Sequence, residues 1–104
     1  MSVITLDGRP IQVDEEGFLT DPSEWDEDLG KALATAIGIT LTDEHWNAIR
    51  FLRTDFAEQG ETATLRRVST RGGIPVKKLF ALFPQKPAKK MAYVSGLPKP
   101  HGCV

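Results

Sequence analysis

The stretch from Thr42 to Gly60, TDEHWNAIRFLRTDFAEQG, constrains the fold most, because Trp46, Ile49, Leu52 and Phe56 recur in it at steps of three and four. That period puts the four side chains on one side of an α-helix. Both ends are marked: Thr42 is a capping residue, Asp43 and Glu44 stand at the positive end of the helix dipole, Leu41 is placed to staple against Trp46, and Gly60 supplies a stop. An amphipathic helix of about seventeen residues draws most of its stability from tertiary packing, so the rest of the chain has to cover its apolar face. The aromatic residues on that face read as core rather than as a ligand box. His45, at the third helical position with no acid or nucleophile at a diagnostic spacing, reads as a surface or capping residue and not as a site.

The flanking sequence supplies the cover. Val3-Ile4-Thr5-Leu6 and Ile11-Gln12-Val13 favour β structure, and the Asp7-Gly8 pair between them marks a hairpin turn. Asp21-Pro22-Ser23-Glu24 reads as a helix start, after which Trp25, Leu29, Leu33, Ala36 and Ile37 share a face, Gly30 weakens or breaks the middle, and Gly38 ends it. Beyond Thr62 the helices become short, Ala63 to Ser69, Val76 to Phe83 and Ala88 to Val94, with Pro84 and Pro87 forcing breaks. Val76, Leu79, Phe80 and Phe83 are expected in the core. The expected fold is mainly α: a small bundle of about five helices with an N-terminal β-hairpin in a single domain over residues 1–95, then a flexible C-terminal arm over residues 96–104.

At 104 residues the chain forms one domain large enough to bury a core without disulfides. No apolar run is long enough to span a membrane, the N-terminus lacks the basic and apolar regions of a signal peptide, and a cytoplasmic location is expected. With one cysteine and two histidines far apart, neither an internal disulfide nor a metal site is expected, and no cofactor. The net charge of −1 hides an asymmetry, since residues 1–61 hold all fourteen acidic groups and residues 62–104 hold nine basic groups and no acid. Arg66, Arg67, Lys77, Lys78, Lys89 and Lys90 are candidates for a basic partner surface, the alternative being that the basic half neutralises the acidic half internally. The two short helices around Gly72-Gly73-Ile74-Pro75 also resemble a helix-turn-helix, which makes a DNA-binding regulator a second reading. Against it, the second helix lacks an Asn, Gln or Arg cluster for base edges.

The arm reads Gly96-Leu97-Pro98-Lys99-Pro100-His101-Gly102-Cys103-Val104. Alternate prolines fix φ and remove backbone donors, so an extended, solvated segment is expected, and its seven steps from Gly96 carry the Cys103 sulfur about 20 Å. Gly102 lets backbone approach closely beside the thiol. A cysteine near a chain end can be incidental. Free cysteines are usually buried, however, and a thiol held out on a polar segment is an oxidation liability, which favours a thiol in use. Lys99 and a protonated His101 favour its thiolate and the Val104 carboxylate opposes it.

"GLPKPHGCV", preceded by "LFPQKPAKKM" and, in mid-chain, by "LTDEHWNAIRFLR", resembles the DsrC/TusE family of sulfur-relay proteins, with the motifs in the same order over nearly the whole chain. The resemblance implies a small helical protein with an N-terminal hairpin and a mobile arm, whose Cys103 carries sulfur as a persulfide or related species while the arm residues dock. It further implies a carrier rather than a stand-alone enzyme, with sulfur-donor and sulfur-acceptor proteins as partners. A TusE-like branch feeds tRNA 2-thiouridine formation, and a DsrC-like branch serves dissimilatory sulfite reductase or sulfur oxidation. Three departures stand out: Ala92 occupies the place of the second cysteine of two-cysteine members, Lys86 stands where the family commonly has glycine, and Ser69–Lys78 is shorter than in many members. The single cysteine favours the TusE-like branch.

Overall fold

The computed structural model describes residues 2–6 and 8–100. Strands β1 (Ser2–Leu6) and β2 (Arg9–Val13) pair antiparallel with Ile4 opposite Ile11, and Gly8 takes the left-handed conformation (φ 76°) that the Asp-Gly signal anticipates. Among the described residues five α-helices follow: α1 (Glu27–Ala36), α2 (Asp43–Gln59), α3 (Leu65–Gly72), α4 (Val76–Leu82) and α5 (Pro87–Val94). This is the mainly α fold with an N-terminal hairpin that the sequence leads one to expect. None of these helices is long and apolar enough to cross a membrane.

Helix α2 is the axis of the core. Ala48, Ile49 and Leu52 are fully buried and pack with Val68 of α3, Leu79 of α4, Met91 and Val94 of α5, and Ala34 of α1. A second cluster joins Ile11 and Val13 of β2 to Leu19, Leu29 and Leu33, so the hairpin closes over α1. Trp25 and Tyr93 border both clusters. His45 is buried and caps α2: its Nδ1 accepts from the Thr42 amide (3.0 Å), which leaves Nε2 to donate to the Leu82 carbonyl (2.8 Å) and ties α2 to the end of α4.

Three local expectations change. The signal at Asp21-Pro22-Ser23-Glu24 produces only a 3-10 turn (Pro22–Glu24), and α1 starts afresh with Asp26, whose carboxylate accepts from the Leu29 amide (2.8 Å). That amide, together with Arg9, holds the Asp26 carboxyl below the usual carboxylate range. Trp25 therefore lies outside α1, and Ala34 rather than Ala36 is buried there. Gly30 does not break α1, because its lack of a side chain makes room for the Trp25 ring; a Cβ at Gly30 would sit 2.9 Å from Trp25 Cζ2. Val76 and Phe80, expected in the core, are 41% and 48% exposed, since a helix as short as α4 buries one narrow stripe, here Leu79 and Leu82, with Phe83 just beyond. At Lys86 the backbone is left-handed (φ 38°), as at Gln85 (φ 57°), which explains physically why glycine suits this turn.

Candidate functional site: the root of the C-terminal tail

His101, Gly102 and Cys103 lie outside the described residues, and what the structure gives is the segment that carries them. Helix α5 ends in a Schellman motif: Gly96 adopts φ 68°, the Leu97 amide donates to the Ala92 carbonyl (3.0 Å), and the Gly96 amide donates to the Tyr93 carbonyl (3.2 Å). The motif turns the chain back onto the body. Leu97 is 1% exposed within the α2-centred core, and Ala92 is fully buried.

Residues far away in sequence hold this turn. Trp25 Nε1 donates to the Val94 carbonyl (2.8 Å), and Arg53 donates to the Ser95 carbonyl (2.7 Å) and to the Pro22 carbonyl (3.0 Å). The Arg53 guanidinium lies 4.3 Å from the centre of the Trp25 ring, a cation–π contact. Partial burial pushes the Arg53 pKa down, and the group stays cationic and faces the negative end of α5, where the helix dipole favours it. Gly96 is pressed against Trp25, and a Cβ there would lie 2.4 Å from ring atom Cδ1.

Two more contacts hold the chain beyond Gly96. Thr62 Oγ1 donates to the Pro98 carbonyl (2.7 Å), and Lys99 Nζ pairs with Glu16 (3.1 Å). Pro100 is buried. The expectation of a solvated segment from Gly96 onward is corrected for residues 96–100, which lie on the body of the fold because Leu97 and Pro100 have apolar surface to bury and the Pro98 carbonyl finds a donor. Cys103 is the third residue after Pro100, so its Cα is at most about 11 Å from this last described anchor.

The predicted basic surface is only partly brought together. Arg67 Nε binds both carboxylate oxygens of buried Asp55 (2.9 and 3.1 Å), Lys78 pairs with Glu44 (2.7 Å), Lys89 lies 3.9 Å from Glu16, and Lys90 donates to the Pro84 carbonyl. Arg66 and Lys77 are exposed and have no ion-pair partner among the described residues. The acidic and basic halves of the chain thus neutralise each other at several points. Trp25, Arg53, Thr62 and Glu16 are the functional candidates that sequence reasoning missed. Only the Trp25–Gly30 spacing carried a signal, because a glycine inside a helix five residues after a tryptophan that precedes the helix leaves room for a close approach of the ring. Among the described residues no cluster of three or more His, Cys, Asp or Glu could hold a metal ion.

The model of the DsrC like protein family matches residues 5–104. The chain belongs to the DsrC-like family. It is 32% identical over 111 residues to the sulfurtransferase TusE of Escherichia coli K12, an alignment that covers 98% of this chain and all of that one. Among solved structures, DsrC of Allochromatium vinosum superposes with a TM-score of 0.81 at 36% identity, covering 98% of this chain and 97% of that one. The oxidised gamma-subunit of the dissimilatory sulfite reductase (DsrC) of Archaeoglobus fulgidus gives 0.77 at 38% identity, covering 99% and 100%. This DsrC-like chain therefore has relatives over its whole length in both branches of the family, among sulfurtransferases and among sulfite reductase subunits.

Proposed function

We propose that the chain is a sulfur carrier whose Cys103 takes up sulfane sulfur as a persulfide and hands it on. The observation that carries this reading is the chain's one thiol, three residues beyond a tail root that a DsrC-like fold fixes with buried contacts. In the loading step the Cys103 thiolate attacks the outer sulfur of a donor persulfide; the new S–S bond forms at Cys103, the donor's S–S bond breaks, and the donor leaves as thiolate. Discharge is the same exchange with Cys103 persulfide as donor. One thiol and one persulfide stand on each side, so no oxidant is consumed.

The fixed root supports a division of labour in which the body positions the tail and the partner's cleft activates the thiol. Cytoplasmic donor and acceptor proteins are the partners of such a relay. Ala92 in place of a second thiol supports the TusE-like course, in which an external thiol rather than an internal one removes the sulfur, and with it delivery toward tRNA 2-thiouridine. Service to a dissimilatory sulfite reductase, as in the name of the Archaeoglobus relative, is the alternative. The test is loading by a persulfidated donor followed by alkylation and peptide mapping. The added sulfur belongs on Cys103, and Cys103→Ser stays at its native mass; a variant that gains sulfur as readily as the parent chain would refute the assignment.

A further inference from the structure

Once internal ion pairs are set aside, four of the six exposed cations without an ion-pair partner among the described residues are on or beside α3 and α4, the other two being Lys31 on α1 and Arg50 on α2. Arg66 and Arg71 on α3, Lys77 on α4 and Lys86 just beyond it are exposed and face no acidic group within ion-pair distance among the described residues. The sequence from Thr62 onward contributes no acid, so only residues from the first half could neutralise them, and those that reach this half serve Arg67, Lys78, Lys89 and Lys99 instead. Two of the four exposed large hydrophobic side chains of the described residues are here too. Val76 and Phe80 are one helical turn apart, on an exposed side of α4 that flanks the stripe of buried Leu79 and Leu82. Helices α3 and α4 pack on each other and are joined by only Gly73, Ile74 and Pro75, which keeps the charged and apolar groups on one corner of the molecule.

We propose that this corner is a docking surface for an acidic protein face bearing an apolar side chain that seats against Val76 and Phe80. An aromatic centre with charges at its rim is the usual layout of a specific protein contact, and the four cations steer an acidic partner toward it and exclude a basic one. A nucleic acid is the weaker match, since α4 carries no Asn, Gln or Arg to read bases and Val76 has no surface to stack on one. The surface is independent of the thiol, so it holds whether or not Cys103 carries sulfur.

Its test places the photocrosslinking residue p-benzoylphenylalanine at Val76, and at Thr35 as a control, in the full chain in cells. The proteins captured at Val76 alone are identified and purified, and their affinity is measured by calorimetry. The expected result is an acidic protein whose binding weakens about tenfold or more with Phe80→Ala and with Lys77→Glu, weakens with rising salt, and survives Cys103→Ser. Far-UV circular dichroism and melting controls establish that both variants are folded. Capture of RNA, capture equal to that at Thr35, no capture, or a purified partner that binds both variants as tightly as the parent chain would each overturn the proposal.

Discussion

Gly96→Ala tests the tail root at its tightest point. The new methyl would stand 2.4 Å from Trp25 Cδ1, 2.6 Å from Cγ and 2.7 Å from Cβ, and the backbone there has φ 68°. Left-handed backbone costs a side-chain-bearing residue about 1–2 kcal/mol. Overpacking against a ring that is already held by the Val94 carbonyl and the Arg53 guanidinium adds about 1–3 kcal/mol. The expected loss is therefore about 2–5 kcal/mol, which in a chain of this size lowers the melting temperature by about 10 °C or more. Gly60→Ala is the matched control, with φ 77° and nothing within 4 Å of the added carbon, so it carries the backbone cost alone. Thermal unfolding followed by circular dichroism, with tryptophan fluorescence to report the Trp25 environment, separates the two. If Gly96→Ala melts no lower than Gly60→Ala, Trp25 does not press on Gly96 and the described root is wrong.

The other predictions concern separate features of the fold. Lys86→Gly relieves a left-handed residue and is expected to stabilise the chain by about 1 kcal/mol in urea titrations, whereas an unchanged midpoint would deny the strain. Ala92→Cys puts a thiol at a fully buried position, so iodoacetamide is expected to label Cys103 well before residue 92; equal rates would contradict that burial. The folded Asp26 carboxyl titrates below its unfolded value, so its stabilisation is complete above the usual carboxylate range and is lost as pH falls through the lowered folded value. Asp26→Asn should accordingly flatten the acid limb of the stability profile, and an unaltered limb would show that the cap does not act.

Much of the fold was legible because its signals are local. The α2 stripe, the Asp-Gly turn and the prolines at 84 and 87 each act through neighbours in sequence, and the hairpin and helices form where those signals place them. Trp25 shows the limit: its apolar spacing fits the face of α1, but the capping carboxylate of Asp26 restarts the helix after it, and its partner carbonyl is 69 residues away. Val76 and Phe80 show another, since spacing marks residues able to face a core without saying whether the core extends that far. The thiol was legible as the only one in the chain. Arg53, Thr62 and Glu16 were not, because each binds the tail through a contact that only the closed fold creates.

The central claim is that one thiol carries one sulfur, and intact-mass spectrometry of the full chain tests it most directly. Incubation with a persulfide donor is expected to add one sulfur, about 32 Da, and a thiol acceptor is then expected to return the chain to its native mass. A chain that gains no mass from protein or small-molecule persulfides, while a thiol reagent still labels Cys103 stoichiometrically, would contradict it.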